Sequence, residues 1–249
     1  MEVKMAAEYE IRDQLNIPVE EAYKVLRTNI QFCGFNKDIK TLTITSFAPG
    51  EGKTTTAINL AISKAKSGMK VLLIDADLRK PVLLKHISSN NPTGVSNYIS
   101  GTAPLEEIIC ATNIENLYVI ACGPKPPNPA ELVGSSRFAE LLDKVKESFD
   151  SIIIDTPPLG SVIDGAVIAS QTDATLLVIK ARSVSSQNVK RIKDQLDKVK
   201  ANVLGVILNK VSKSDYKNYY SYYDYYGEDK SGNRRKLKKV RDNKKRGKV

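Results

Sequence analysis

The stretch Thr41-Leu42-Thr43-Ile44-Thr45-Ser46-Phe47-Ala48-Pro49-Gly50-Glu51-Gly52-Lys53-Thr54-Thr55 decides the fold. Thr41–Ser46 is mostly β-branched or apolar and reads as a strand, while Lys53–Ser67 carries helical apolar spacing. A strand, a glycine-rich turn and a helix in that order form the context of a P-loop. Glycines at 50 and 52 let the backbone turn its N–H groups inward around phosphate oxygens. The helix start adds a partial positive charge. Lys53 is placed to reach the outer phosphates and the Thr54 hydroxyl to ligate magnesium. Pro49, Gly50, Glu51, Gly52, Lys53, Thr54 and Thr55 are therefore the expected nucleotide-binding residues. The loop departs from the usual signature at its first glycine position, which holds Phe47. A chance glycine-rich turn is the competing reading, and the strand-loop-helix context weighs against it.

Outward from this loop, short β-branched runs alternate with amphipathic segments. Strands are expected at Thr41–Ser46, Lys70–Asp75, Leu117–Ala121, Ser151–Asp155, Ala174–Lys180 and Val203–Asn209. Helices are expected at Pro18–Cys33, Lys53–Ser67, Pro129–Ser148, Asp164–Ser170 and Ser186–Lys200. Strands that are apolar throughout and separated by helices imply an α/β fold: a doubly wound, mostly parallel sheet with helices on both faces. Residues 1–17 read as irregular and 18–211 as one P-loop domain. Residues 212–229 read as a tyrosine-rich tail and 230–249 as a basic disordered tail, for little aliphatic surface remains to offset the ordering entropy.

Two further acidic sites fall at strand ends, where ligands of open α/β sheets gather. Val71–Ile74 runs into Asp75-Ala76-Asp77-Leu78-Arg79-Lys80-Pro81, and Ile152–Ile154 runs into Asp155-Thr156-Pro157-Pro158. An Asp after an apolar strand is the Walker B arrangement that holds magnesium; a lone one is also an ordinary helix cap. Three carboxylates alongside a P-loop favour the metal site. Phosphoryl transfer needs charge neutralisation and an oriented nucleophile more than covalent chemistry. One carboxylate is then free to take a proton from the attacking hydroxyl. The expected roles are Asp75 as base and Thr54, Asp77 and Asp155 as metal ligands, with Lys53 catalytic, although spacing leaves open which of Asp75 and Asp77 is the base. Asn209, just after the last strand, is a candidate contact to the nucleotide base.

Composition narrows the alternatives. His86 is the only histidine, so a Ser-His-Asp hydrolase or a multi-histidine metal centre would rest on one ring. Cys33, Cys110 and Cys122 lie at no disulfide-like or metal-like spacing and read as reduced thiols of a cytoplasmic protein. No run approaches the roughly 20 apolar residues of a membrane span, and Met1–Gln14 does not read as a signal peptide. The net charge of +10 is local: residues 230–249 hold eleven Lys or Arg against the single acid Asp242, so residues 1–229 balance to zero.

Tyr216, Tyr219, Tyr220, Tyr222, Tyr223, Tyr225 and Tyr226 gather seven of the eleven tyrosines in one short polar stretch. Adjacent pairs on a polar chain suit no packed core. A stacking platform for single-stranded nucleic acid is one reading, since aromatic and basic residues together favour it.

Taken together, the sequence resembles the bacterial tyrosine kinases of capsule and exopolysaccharide synthesis, in the separately encoded form of Gram-positive bacteria. The likeness spans about residues 18–227. It rests on Thr45-Ser46 with Pro49–Thr55, Ile74–Pro81, Asp155–Pro158, Pro127-Asn128-Pro129-Ala130-Glu131-Leu132 and the tyrosine cluster. Chromosome- and septum-positioning ATPases are the nearest competitors, but they carry a lysine where this chain has Ala48. The resemblance implies an ATP- and Mg2+-dependent tyrosine kinase whose phosphorylation sites are the seven clustered tyrosines, modified in trans within a ring-like homo-oligomer. It implies a transmembrane activator protein, a place at the inner face of the plasma membrane, a regulatory role in polysaccharide assembly and no nucleic-acid partner. A nucleotide-gated scaffold without kinase activity is the alternative. The family's oligomerisation motif, E-x-x-R-x-x-R, falls here on Glu21, Lys24 and Arg27, where lysine keeps the charge and loses the bidentate fork. Ordinary charges on a solvated helix face are the competing reading. The basic tail is not part of the family pattern, and an anionic membrane surface is its expected partner.

Overall fold

The computed structural model describes residues 8–11, 15–33, 38–85, 87–88 and 93–212. His86, the seven clustered tyrosines and the basic tail lie outside the described residues. Strands are β1 (Glu8–Ile11), β2 (Thr41–Ser46), β3 (Val71–Asp75), β4 (Ile87–Ser88), β5 (Cys110–Thr112), β6 (Leu117–Ile120), β7 (Ser151–Asp155), β8 (Ala174–Lys180) and β9 (Val203–Asn209). Helices are α1 (Ile17–Cys33), α2 (Lys53–Ala65), α3 (Val95–Ser100), α4 (Leu105–Ile108), α5 (Pro129–Val133), α6 (Ser136–Ser148), α7 (Asp164–Ala169) and α8 (Ser186–Lys198).

The strands form one sheet in the order β4-β1-β5-β6-β3-β7-β2-β8-β9. From β6 to β9 every pairing is parallel. Among the described residues, only β5 against β6 and β4 against β1 run antiparallel. The central strands β2, β3 and β7 are buried on both faces. Leu42, Ile44, Leu73 and Ile153 pack beneath α1 and α2, whereas Leu72, Ile74, Ile152 and Ile154 meet Phe138, Leu141 and Val145 of α6. A third cluster joins Leu177 and Ile179 of β8 to Ile192 and Leu196 of α8. This is the doubly wound α/β architecture that alternating strands and helices imply.

Two expectations need correction. The N-terminal stretch is not irregular throughout: Tyr9 is fully buried and Ile11 2% exposed in β1. The Asn113 side chain holds that strand, accepting from the Ile11 N–H at 2.7 Å and donating to its carbonyl at 3.1 Å. Glu-Tyr-Glu-Ile alternates polar and apolar residues, but over only four positions, too few for the strand to stand out in the sequence. The expected helix Pro129–Ser148 is two helices, broken at Gly134-Ser135. Ser135 takes extended geometry and its hydroxyl accepts from the Phe138 N–H, so it caps a new helix.

Candidate active site

Parallel register brings the acids together before any side chain is considered. Asp75 at the end of β3 pairs directly with Asp155 at the end of β7, and Asp155 pairs with Ile44 of β2. The loop after β2 therefore opens beside both carboxylates. Gly50 (φ 77°) and Gly52 (φ 98°) take the left-handed conformation that the loop requires. Phe47 needs no such freedom: its ring packs on the cluster beneath α8, and its carbonyl accepts from the Gly160 N–H at 2.9 Å.

Lys53, the first residue of α2, points its ammonium at Asp77 Oδ2 (3.3 Å) and Asp155 Oδ1 (3.6 Å). The Thr54 hydroxyl donates to Asp155 Oδ2 at 2.6 Å. Asp75 Oδ1 accepts from the Asp77 N–H at 3.1 Å, and Asp77 Oδ1 from the Lys80 N–H at 3.0 Å. Lys53, Thr54, Asp75, Asp77 and Asp155 are all buried. Burial, reinforced by the neighbouring Asp155 charge, pushes the Asp75 carboxyl up to about 8. Burial also raises Asp155, to about 6, against the opposing pull of Lys53. Three acids share one ammonium, and the cluster calls for more positive charge.

The arrangement fits a magnesium-bound nucleotide. Asp75 Oδ2 is buried without a hydrogen-bond donor, and Asp155 Oδ1 has only the Lys53 ammonium at 3.6 Å, so both oxygens can take a further cation. Among the described residues no three acidic, His or Cys side chains close into a complete metal cage. Magnesium is commonly held by one or two carboxylates, with phosphate and water completing its shell. Thr54, Asp77 and Asp155 are the residues that would hold it, and Lys53 with the backbone of 50–54 would face the phosphates.

The other expected site residues lie outside the acid cluster. Pro49 and Thr55 are exposed. The Glu51 carboxylate turns away from the loop's hollow: it accepts from the Ala48 N–H (2.8 Å), the Lys180 N–H (3.2 Å) and the Ser183 hydroxyl (3.2 Å). Asn209 lies against the loop, its amide donating to the Glu51 carbonyl at 2.9 Å. Glu21 and Lys24 pair on the surface of α1 at 2.8 Å, and Arg27 donates to the Ser63 carbonyl of α2, so these three stand apart from the acid cluster. Sequence reasoning missed the fork of Arg79 on Asp164, with Nε at 2.6 Å and an Nη at 3.0 Å, which ties the segment after Asp77 to the start of α7. The motif Asp75–Pro81 contained that arginine, but nothing local named its partner 85 residues on.

Comparison with known proteins agrees with this geometry. A family model described as an AAA domain matches residues 39–210. The tyrosine-protein kinase CpsD of Streptococcus agalactiae serotype Ia is 45% identical over 196 residues, covering 78% of this chain and 84% of that protein. The crystal structure of the chimerical protein CapA2B2 aligns with a TM-score of 0.76 at 33% identity, over 85% of this chain and 96% of its own. The kinase domain of the Escherichia coli tyrosine kinase ETK aligns with a TM-score of 0.76 at 30% identity, over 85% and 91%. With a P-loop, three converging carboxylates and relatives of this closeness, the chain belongs to the bacterial tyrosine-protein kinase family.

Proposed function

We propose that this kinase uses ATP and magnesium to phosphorylate the tyrosine cluster 216–226 of a neighbouring copy, and that the cycle regulates capsular or extracellular polysaccharide synthesis. The observation that carries the reading is the cluster of Lys53, Thr54, Asp75, Asp77 and Asp155 at adjoining strand ends. Magnesium, when bound, supplies the positive charge that the three acids lack and screens the transferring phosphate. Lys53 orients the outer phosphates. Asp77 and Asp155, with the Thr54 hydroxyl, hold the ion. Asp75 keeps Oδ2 without a hydrogen-bond donor. That oxygen is the acceptor assigned to the tyrosine proton.

Glu21, Lys24 and Arg27 lie on α1, whose Val25 and Phe32 are 47% and 71% exposed. Charged and apolar groups side by side on one helix support self-association there. Among the described residues no helix is long and apolar enough to cross a membrane. A separate transmembrane activator, meeting the kinase at the inner face of the plasma membrane, fits that observation, with the basic tail as a second attachment to anionic lipid.

Intact-protein mass spectrometry after incubation with ATP, magnesium and the activator's cytoplasmic segment tests this reading. Successive phosphate additions mapping to 216–226, and their loss in Lys53→Met, are the expected outcome. Nucleotide binding without additions would point to a nucleotide-gated scaffold instead.

A further inference from the structure

A backbone that turns its N–H groups toward phosphate turns its carbonyls outward, and those carbonyls need donors of their own. The donors behind this loop are known almost residue by residue. The Ser46 and Phe47 carbonyls accept from the N–H groups of Leu159 and Gly160, the Ala48 carbonyl from the Ser46 hydroxyl, and the Gly52 carbonyl from the Thr56 N–H. At the tip, the Gly50 and Glu51 carbonyls take their donors from the end of the last strand. The Gly50 carbonyl accepts from the Lys210 ammonium at 2.8 Å, and the Glu51 carbonyl from the Asn209 amide at 2.9 Å.

We infer that Asn209 and Lys210, about 160 residues from the loop in sequence, are positioning residues that hold the tip of the phosphate loop from behind. Four observations converge on this role. The Asn209 amide is engaged at both ends, its Nδ2 donating to the Glu51 carbonyl and its Oδ1 accepting from the Lys210 N–H at 2.8 Å. Lys210 sits at φ 55°, a conformation that side-chain-bearing residues seldom adopt, and this turn accompanies both its N–H contact to Asn209 and its ammonium contact to Gly50. The Asn209 carbonyl accepts from the Ala181 N–H at 2.8 Å, which anchors the clamp to the end of β8. Finally, a Cβ on Gly52 would run into the Asn209 amide, so the fit leaves no room between clamp and loop.

The inference rests on residues 48–54 being the nucleotide loop, and its test reads binding rather than kinase activity, so the two claims fail separately. Full-length Asn209→Ala, Lys210→Met, Lys210→Gly and Lys210→Arg are titrated with Mg-ATP, Mg-GTP and magnesium tripolyphosphate, which has no base. A clamp that shapes the loop weakens all three ligands by a similar factor, roughly five- to twentyfold for Asn209→Ala and about fivefold for Lys210→Met, on the scale of one lost hydrogen bond. Lys210→Gly accepts the left-handed turn but lacks the ammonium, and matches Lys210→Met. Lys210→Arg keeps a donor and recovers most of the affinity. Weaker ATP binding with tripolyphosphate unchanged would overturn the clamp and make Asn209 a base reader. Unchanged affinity in Asn209→Ala and Lys210→Met, or failure of Lys210→Arg to recover, would also overturn it.

Discussion

Lys53 faces more negative charge than one ammonium can balance, and the imbalance has a measurable consequence at Asp75. That carboxyl is fully buried and pushed up to about 8 from an ordinary 3.8. Its folded value exceeds its unfolded value, so its stabilising contribution is complete below about 4 and disappears as pH rises through about 8. Nucleotide-free protein should therefore lose stability across that window relative to Asp75→Asn, whose amide cannot ionise. At pH 8 the variant should be the more stable of the two, with the higher Tm, and the gap should close near pH 4. Thermal melts across the range check this; parallel curves for the two proteins would contradict it. At this scale the sequence was informative wherever a residue's place follows from its strand or loop. Lys53, Thr54, Asp77 and Asp155, which the structure brings together, belong to that group. Glu51, Asn209 and Lys210 do not, because their partners come from strands 129 to 160 residues away, brought beside the loop only by the sheet order.

Between elements, the fork of Arg79 on Asp164 joins the segment after β3 to α7. Asp164 is buried, while the Arg79 side chain is 40% exposed. Arg79→Met should cost about 2 kcal/mol, less than a fully buried pair, because solvent already screens the arginine. Replacing both partners, Arg79→Met with Asp164→Leu, should restore much of that loss, since no unpaired charge stays buried. Urea titration of the single and double variants measures both effects, and an additive double variant would count against the account. Strand positions were largely readable: Thr41–Ser46, Ser151–Asp155, Ala174–Lys180 and Val203–Asn209 carry long β-branched runs that leave little alternative. What escaped was short. The strands β1, β4 and β5 hold too few positions to show a period, and the break at Ser135 sits inside the apolar helical spacing of the segment.

For the whole molecule, the distribution of charge ties the tail to phosphorylation. The final twenty residues hold the entire net charge of +10, next to seven tyrosines. Each phosphotyrosine adds about −1.5 to −2, so full modification adds roughly −10 to −14 and cancels the tail. Unmodified protein should co-sediment with liposomes rich in anionic lipid, and the fully phosphorylated form should stay in the supernatant. Equal binding by the two forms would break the link between modification and membrane release. The central claim is transfer from one subunit to the tail of another, and mixing two defective chains tests it most directly. Lys53→Met protein keeps its tyrosines but cannot transfer phosphate, while a chain with all seven tyrosines changed to Phe keeps its site but offers no cluster. Incubated with ATP, magnesium and the activator segment, each alone should remain unmodified at 216–226, and the mixture should place phosphate on the Lys53→Met chain. No phosphate on that chain in the mixture, with the wild type modified under the same conditions, would contradict the account.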